Sequence, residues 1–278
     1  MYTYMRYPGG LSKALTFSYD DGLEQDIRLI KILDSYGMKG TFNLNSNMFS
    51  PDRFIFPKEQ IHRRLSKTAC QNLYQNHEIA LHGANHPFLD SLPLQECIKE
   101  IYDDRVSLEE ISGSFVRGLA YPYGTYGDKV DEILKACGVV YARTAVSTDA
   151  FTLPENWLRL NPTCHHNNPR LMELAKTFLD ADNGMYRPCT LFYLWGHSHE
   201  FDVNNNWNVI DEFTDFMSKS KEVWYATNIE IYDYIQKYSQ LIFNAKCDMC
   251  YNPTDTELFF VANNKLFSVK AGHTLNFN

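Results

Sequence analysis

The sequence lacks several features that would assign it to a specialised class of protein. No stretch approaches 18 consecutive apolar residues, so we expect no membrane-spanning helix. Internal repeats and low-complexity segments are also missing. With 44% hydrophobic and 22% charged residues, the composition is that of an ordinary globular protein. At 278 residues the chain is long enough for one large α/β barrel or for two ordinary domains.

An excess of positive charge is absent as well. The net charge of -8 at pH 7 argues against binding to nucleic acid or to an anionic membrane surface, because phosphate binding needs clustered lysine and arginine side chains. Arg63 and Arg64 are adjacent, but no run of basic residues is long enough to form a patch. We therefore expect neither nucleic acid nor a membrane as a partner.

A disulfide framework and a secretory leader are not evident either. The seven cysteines are odd in number and scattered, which is typical of reduced intracellular thiols. Cys247 and Cys250 form a CxxC pair without a second pair at zinc-finger spacing, so we interpret them as free thiols. The first ten residues contain no apolar segment of the signal-peptide type. We predict a cytoplasmic protein, although a chain whose signal peptide had been removed would begin in the same way.

Short apolar runs alternate with helical patterns along most of the chain. About seven strand-then-helix units with short links fit a parallel barrel better than a sandwich or a bundle. In the helix predicted from residue 94 to residue 111, we expect Ile98, Ile101, Val106 and Leu108 to face inward. The predicted strands are 13–18, 40–45, 78–82, 115–121, 139–143, 190–195 and 222–226, and the other predicted helices are 23–36, 66–75, 127–137, 169–180, 207–218 and 228–239.

The pattern changes after about residue 240. Short apolar segments at 241–245, 257–262, 265–269 and 275–277 look like strands, and Asn263-Asn264 makes a tight hairpin turn. This segment is too short to hold a core of its own easily. We predict an α/β fold in which residues 1–240 form a barrel of about seven strands and residues 241–278 form a small C-terminal β appendage packed on it.

Reactive side chains follow the predicted strands, which is where parallel barrels place their chemistry. Asp20 and Asp21 end the first strand and precede Gly22. Neighbouring side chains at a strand end point in different directions, so one carboxylate can bind a metal while the other faces a bound water. The alternative is that Asp21 caps the helix that follows.

A pair of histidines follows the third predicted strand. His82 and His86 lie in a turn rather than a helix, because Gly83 loosens the segment and Pro87 disfavours the α region for His86. Neutral histidine is a standard ligand for a borderline metal, and two histidines with one carboxylate leave open positions for water and substrate. The alternative is one exposed and one core histidine.

Four segments resemble motifs of the polysaccharide deacetylase family, which includes chitin, chitooligosaccharide, peptidoglycan and acetylxylan deacetylases. The segments are Thr-Phe-Ser-Tyr-Asp-Asp-Gly at 16–22, His-Gly-Ala-Asn-His-Pro at 82–87, Tyr-Pro-Tyr-Gly at 121–124 and the apolar run ending in histidine at 192–197. They occur in the family's order over roughly residues 13–230. The resemblance implies a distorted (β/α) barrel.

The resemblance also implies a role for each matching residue. Asp20 would be the general base, while Asp21, His82 and His86 would hold one divalent metal ion. The backbone amide of Tyr123 would help to hold the oxyanion. Zinc is the preferred ion, and cobalt or nickel would also suit the ligand set.

The chain departs from the family pattern at two motifs. The third motif usually carries an arginine that holds the base aspartate, and here Ala120 stands in that place. Arg143, which ends the next predicted strand, is our substitute, and Arg117 is the second choice. In the last motif, Leu-Trp-Gly-His replaces the usual Leu-x-Leu-His. His197 is the predicted general acid, with His199 as its rival.

Together these features predict a metal-dependent hydrolase that removes acetyl groups from an N- or O-acetylated oligo- or polysaccharide. One alternative is an allantoinase-like C–N hydrolase on the same scaffold. Another is a non-catalytic carbohydrate-binding protein, against which the intact acidic and histidine residues argue. His165 and His166 lie in a polar loop, and we interpret them as substrate contacts or surface residues rather than as a second metal site.

Overall fold

The structure, a computed structural model, describes residues 2–182 and 184–277. Its strands are β1 (Tyr4–Arg6), β2 (Lys13–Asp20), β3 (Gly40–Leu44), β4 (Glu78–Leu81), β5 (Gly118–Ala120), β6 (Tyr141–Arg143), β7 (Cys164–His165), β8 (Thr190–Gly196), β9 (Val223–Tyr225), β10 (Ile242–Phe243), β11 (Met249–Tyr251), β12 (Leu258–Ala262), β13 (Lys265–Val269) and β14 (Thr274–Asn276). Its α-helices are α1 (Asp26–Ser35), α2 (Lys67–Leu73), α3 (Leu94–Ser112), α4 (Asp128–Ala136), α5 (Leu171–Asp180), α6 (Glu200–Val203), α7 (Asn208–Ser218) and α8 (Asn228–Tyr238).

The main sheet is parallel and follows the strand order β6-β5-β4-β3-β2-β8-β7. An eighth strand, β9, pairs with β2 beside this path. Helices alternate with the strands along the chain, as the predicted units required. The predicted strands and helices are present with shifts of a few residues at their ends, whereas β1, β7 and β11 were not predicted. The fold is therefore the expected distorted (β/α) barrel.

Strand β2 is the centre of the sheet. All eight of its residues are buried, which is typical of a parallel strand covered on both faces. It pairs with β8 from Lys13 to Tyr19, and with β3 over its C-terminal half. The register places Asp20 beside Asn43 and, at the far edge of the sheet, Ala120 beside Arg143. The polar residues that end these strands consequently lie at one edge of the barrel.

Helix α3 packs on the barrel through a different face from the predicted one. Ile101 and Leu108 are buried as expected, but Ile98 and Val106 are exposed by about two fifths of their surface. The buried stripe instead includes Cys97 and Asp104, at the alternating spacing of three and four residues that one helix face requires. The prediction was wrong there because it counted only strongly apolar residues as inward. Asp104 faces inward because it accepts hydrogen bonds from two backbone amides at strand ends.

Two small antiparallel sheets lie outside the barrel. One has the order β10-β11-β14, and the other has the order β1-β12-β13, so an N-terminal strand joins the C-terminal segment. The turn between β12 and β13 has Asn263 at φ 48° and Asn264 at φ 59°, the backbone that a two-residue hairpin favours. Phe260 and Phe277 are buried against each other in this region. The division into a barrel of residues 1–240 and an appendage of residues 241–278 stays a prediction. Strand β1 links the two parts, because it pairs with β12.

Among the described residues, no helix combines the length and the apolar character needed to cross a lipid bilayer.

Candidate active site

The two adjacent carboxylates separate because the backbone turns sharply after β2. Asp21 has φ 85° and Gly22 has φ 64°, so two successive residues take left-handed conformations. Glycine suits this position, because a Cβ on Gly22 would lie 2.9 Å from the side chain of Leu44. Asp20 and Asp21 are both buried, yet they face different partners.

Asp20 forms a buried ion pair with Arg143. The Nη2 atom of Arg143 donates to the two carboxylate oxygens of Asp20 at 2.6 and 2.5 Å, and Asn43 donates to Oδ1 at 2.8 Å. Burial alone would raise the pKa of Asp20, but Arg143, together with His82 and His197, outweighs burial and holds that pKa below its usual value. Arg117, the second choice, pairs instead with Asp233 at 2.5 Å on the outside of the barrel.

The two histidines of the predicted metal site face each other. Nδ1 of His82 lies 2.8 Å from the carbonyl oxygen of Ala120, so it donates there when the ring is neutral and leaves Nε2 with a lone pair. The Nε2 atoms of His82 and His86 are 3.1 Å apart. Burial lowers the pKa of His82 to about 4, so its ring is neutral at pH 7. His86 has φ 56°, outside the right-handed α region that Pro87 disfavours.

Asp21, His82 and His86 fit a divalent cation. One donor atom from each lies within 4.8 Å of the other two. One carboxylate oxygen and two neutral imidazole nitrogens are a donor set that zinc takes while keeping positions open for other ligands. Two imidazole nitrogens that approach to 3.1 Å also suit a shared cation better than they suit each other.

His197 lies on the other side of Asp20. Its Nε2 atom is 3.8 Å from Oδ2 of Asp20, and the Nε2 atom of His82 is at the same distance from that oxygen. The rival residue His199 lies farther along the loop, where its ring is 5.7 Å from that of His197 and 5.0 Å from that of His62. Of the two candidates for the general acid, His197 is therefore the one beside Asp20.

Glu200 was not predicted, although it is central to the histidine cluster. Its Oε1 atom lies 3.3 Å from Nδ1 of His197, and its Oε2 atom lies 3.1 Å from Nε2 of both His165 and His166. Burial lowers the pKa of His197, but the Glu200 carboxylate and the charge of Asp20 outweigh burial and raise it above its usual value. The sequence signals that could have indicated this cluster were the position of Glu200, three residues after His197, and the adjacent histidines His165 and His166.

The predicted polar loop around His165 and His166 divides between surface and core. His166 is fully buried, and its ring stacks against those of Tyr19 and Phe201, with centroids 5.7 and 4.1 Å away. A Cβ on Gly196 would lie 2.1 Å from Nδ1 of His166, so close packing requires glycine before His197. The His166 ring therefore has a packing role that the sequence did not reveal.

Tyr123 lies next to His86 in the turn after β5. Its backbone has φ 59°, its ring centroid is 4.5 Å from that of His86, and 58% of its surface is exposed. The exposed ring of Phe88 stacks on it at 3.9 Å with 13° between the planes. The structure thus places Tyr123 at the mouth of the site, while the role of its amide stays a prediction.

Two further basic residues that were not predicted contact Asp21. Nε2 of His62 is 3.2 Å from Oδ2 of Asp21, and Nη2 of Arg64 donates to Oδ1 at 2.8 Å. Burial raises the pKa of Asp21, but the hydrogen bond from His62 and the nearby charges hold it well below its usual value.

The CxxC pair lies away from this site. Cys247 and Cys250 are free cysteines at the small sheet that contains β11.

Comparison with known proteins shows what this chain is similar to. A family model for polysaccharide deacetylase matches residues 7–142. No protein in the curated set matches the chain. A candidate polysaccharide deacetylase from Mycobacterium smegmatis superposes with a TM-score of 0.60 at 17% identity, over 85% of this chain and 94% of that one. The match confirms the fold prediction and the predicted resemblance.

Two other solved structures share the fold. A family 4 carbohydrate esterase from Streptomyces lividans in complex with acetate has a TM-score of 0.50 at 12% identity, covering 77% of this chain and 92% of that one. The Xyl-CE4 domain of a multidomain xylanase from the hindgut metagenome of Trinervitermes trinervoides has a TM-score of 0.51 at 13% identity, covering 81% and 92%. At these identities the likeness shows a common fold.

The buried Asp20–Arg143 pair predicts a large loss of stability when it is broken. Arg143→Met should lower the free energy of unfolding at pH 7 by about 3–5 kcal/mol, because an unpaired carboxylate would remain buried. Urea denaturation measures this change. Arg117→Met, which removes a partly exposed partner of Asp233, is the matched control and should cost about 1 kcal/mol or less. Equal losses in the two variants would contradict the importance of the buried pair.

Proposed function

We propose that the protein is a metal-dependent hydrolase that removes acetyl groups from an N- or O-acetylated carbohydrate, and the match of residues 7–142 to a family model for polysaccharide deacetylase supports this proposal. One observation carries the proposal. The carboxylate of Asp20 lies 3.8 Å from Nε2 of His82, in the metal-ligand set, and 3.8 Å from Nε2 of His197. A candidate base therefore lies close to both a metal position and a candidate acid, which is the arrangement that hydrolysis of an acyl bond needs.

Asp21, His82 and His86 would hold the ion, with zinc preferred and cobalt or nickel as alternatives. When bound, such an ion polarises an acyl carbonyl and lowers the pKa of water. The three side chains follow β2 and β4, two strands that β3 separates in the sheet. Their convergence supports a single site.

Asp20 would accept the proton of the attacking water. Arg143 keeps it ionised at neutral pH, so the base is in its active form. The backbone amide of Tyr123 would donate to the oxyanion that develops on the acyl oxygen. The turn of Pro122–Gly124, which carries this amide, follows β5 and lies beside His86.

His197 would protonate the departing amine or hydroxyl group. The position of Glu200 supports this role, because a carboxylate 3.3 Å from Nδ1 favours the protonated ring. Glu200 is in turn held by His165 and His166. Leaving groups of high pKa depend most on such an acid, so amide cleavage should depend on His197 more than cleavage of an activated ester does.

The proposed activity is tested by a substrate panel with the purified protein. We expect acetate release from N-acetylated chito-oligomers or acetylated xylo-oligomers, loss of activity with a chelator, and recovery on addition of zinc or cobalt. Metal analysis should find about one ion per chain. Turnover of allantoin without acetate release would favour the allantoinase-like alternative, and binding of oligosaccharide without any turnover would favour the non-catalytic one.

The division of labour between the neighbouring carboxylates gives a second test. Asp20→Asn should keep the metal and lose activity by roughly two to four orders of magnitude, the usual worth of a positioned base. Asp21→Asn should lose both metal and activity, because a ligand is removed. Activity and metal content of the two variants are measured side by side. Similar behaviour of both variants would show that the roles are wrongly divided.

The third test concerns the pH dependence of kcat/KM. Glu200 raises the pKa of His197, so Glu200→Gln should lower that pKa and move the alkaline limb of the profile to lower pH, by about one unit. His197→Ala should remove this limb. Asp202→Asn is the matched control in the same helix, because Asp202 bonds to Gln25 and Trp207 rather than to His197. A limb that stays in place in His197→Ala would exclude His197 as the acid.

A further inference from the structure

We propose that Arg64 is a positioning residue of the metal centre, which holds Asp21 directly and His82 through Asn45 in the geometry that binds the ion. The inference rests on the proposed function, because it assigns a role toward the metal ligands. Arg64 follows β3 by twenty residues and precedes α2, in a segment to which the sequence motifs assign nothing. Its side chain is only 13% exposed.

The guanidinium of Arg64 makes three hydrogen bonds in the site. Nη2 donates to Oδ1 of Asp21 at 2.8 Å, and Nη1 donates to Oδ1 of Asn45 at 2.6 Å. Nη1 also donates to the backbone carbonyl of Asp21. Arg64 thus fixes both the side chain and the main chain of this ligand, which a single hydrogen bond would not do.

Asn45 extends the contact to the next ligand. Its Nδ2 atom donates to the carbonyl oxygens of His82 at 2.6 Å and Gly83 at 2.7 Å. Asn45 is buried directly after β3, between the strand that carries Asp21 and the strand that carries His82. The chain of contacts from Arg64 therefore links the ends of three adjacent strands, two of which supply metal ligands.

The backbone around Arg64 is itself attached to the loop that carries Asp21. Leu65 donates its amide to the carbonyl of Gly22 at 2.8 Å, and the amide of Glu24 donates to the carbonyl of Arg63 at 2.9 Å. An antiparallel bridge joins Leu23 and Arg64. The guanidinium consequently approaches Asp21 from a fixed base rather than from a free loop.

The conformation of Asp21 explains why such a support is needed. A left-handed backbone in a residue other than glycine costs of order 1–3 kcal/mol and persists only where its surroundings hold it. Asp21 has φ 85°, and Arg64 accounts for bonds to both its carbonyl and its carboxylate. Without Arg64, the contact with His62 at 3.2 Å would be the remaining side-chain restraint on the carboxylate of Asp21 among the described residues.

The positive charge of Arg64 acts in the opposite direction, because it repels a cation bound at Asp21. Substitutions can separate the two effects. A lysine keeps the charge but cannot span the acceptors on Asp21 and Asn45 with a rigid fork, whereas a glutamine removes the charge as well. If positioning is the larger effect, both variants bind metal more weakly. If repulsion is larger, the lysine variant still binds more weakly, because it loses the fork and keeps the charge, whereas the glutamine variant binds more tightly.

The experiment measures zinc affinity without substrate, by competition with a chromogenic chelator, for wild type, Arg64→Gln, Arg64→Lys and Arg63→Gln. We expect affinity to fall by roughly 10- to 100-fold in both Arg64 variants, the usual effect of removing a group that orients a ligand. Arg63→Gln is the matched control, because Arg63 pairs with Glu24 at the surface, and it should stay within about twofold of wild type. At saturating zinc, the Arg64 variants should regain most of the wild-type kcat.

Thermal unfolding of the metal-free proteins separates positioning from general stabilisation. Similar unfolding midpoints together with weaker zinc binding support the proposal. If wild type binds zinc tightly and folded Arg64→Gln binds it equally well or more tightly, the role of Arg64 is overturned and the proposed function is not. A wild-type protein that binds no divalent ion overturns this role and the metal dependence of the proposed function together.

Discussion

The site depends on one buried ion pair, between Asp20 on the central strand β2 and Arg143 at the end of the edge strand β6. Both side chains are almost fully inaccessible, so each would be costly to leave unpaired. Three strands lie between β2 and β6 in the sheet. The ion pair can therefore form only if the C-terminal ends of β2 and β6 are level and the sheet curls to bring them together. The ring of Trp195, 4.5 Å from the guanidinium carbon of Arg143, closes the other side.

Three carboxylates share this edge of the barrel, and each has its own basic partners. Arg143 faces Asp20, Arg64 and His62 face Asp21, and three histidines surround Glu200. Adjacent carboxylates would otherwise raise one another's pKa. Separate partners allow all three to remain ionised in a buried region, which the proposed roles of Asp20 as a base and Asp21 as a ligand require.

Backbone strain also occurs at this site. Asp21, His86 and Tyr123 have positive φ values of 85°, 56° and 59°, and none of them is glycine. Such conformations are retained where the surrounding structure holds them, and they are common at functional sites. Each of the three follows a different strand, so the strain lies in the turns that direct side chains into the site rather than in the sheet. The rigid sheet therefore supports turns that would be unfavourable on their own.

Local sequence patterns determined the order of strands and helices, because periods of two and of 3.6 residues depend only on near neighbours. The hairpin at Asn263-Asn264 followed from the same kind of local preference. The motif residues Asp20, Asp21 and the His82–His86 turn were likewise evident, since each is a short segment after a strand. Choosing Arg143 over Arg117 required only the position of each arginine within its predicted strand.

The tertiary structure alone decided which distant residues meet. Nothing in the local pattern indicated that Arg64 would contact Asp21, that Glu200 would gather His165 and His166, or that β1 would pair with β12. The buried face of α3 was also decided by packing, because an aspartate that accepts hydrogen bonds from strand-end amides can face inward although its side chain is polar. These contacts depend on strand register and loop path over tens of residues. A sequence pattern carries no such information, because the same residues would fit many registers until the barrel fixes one.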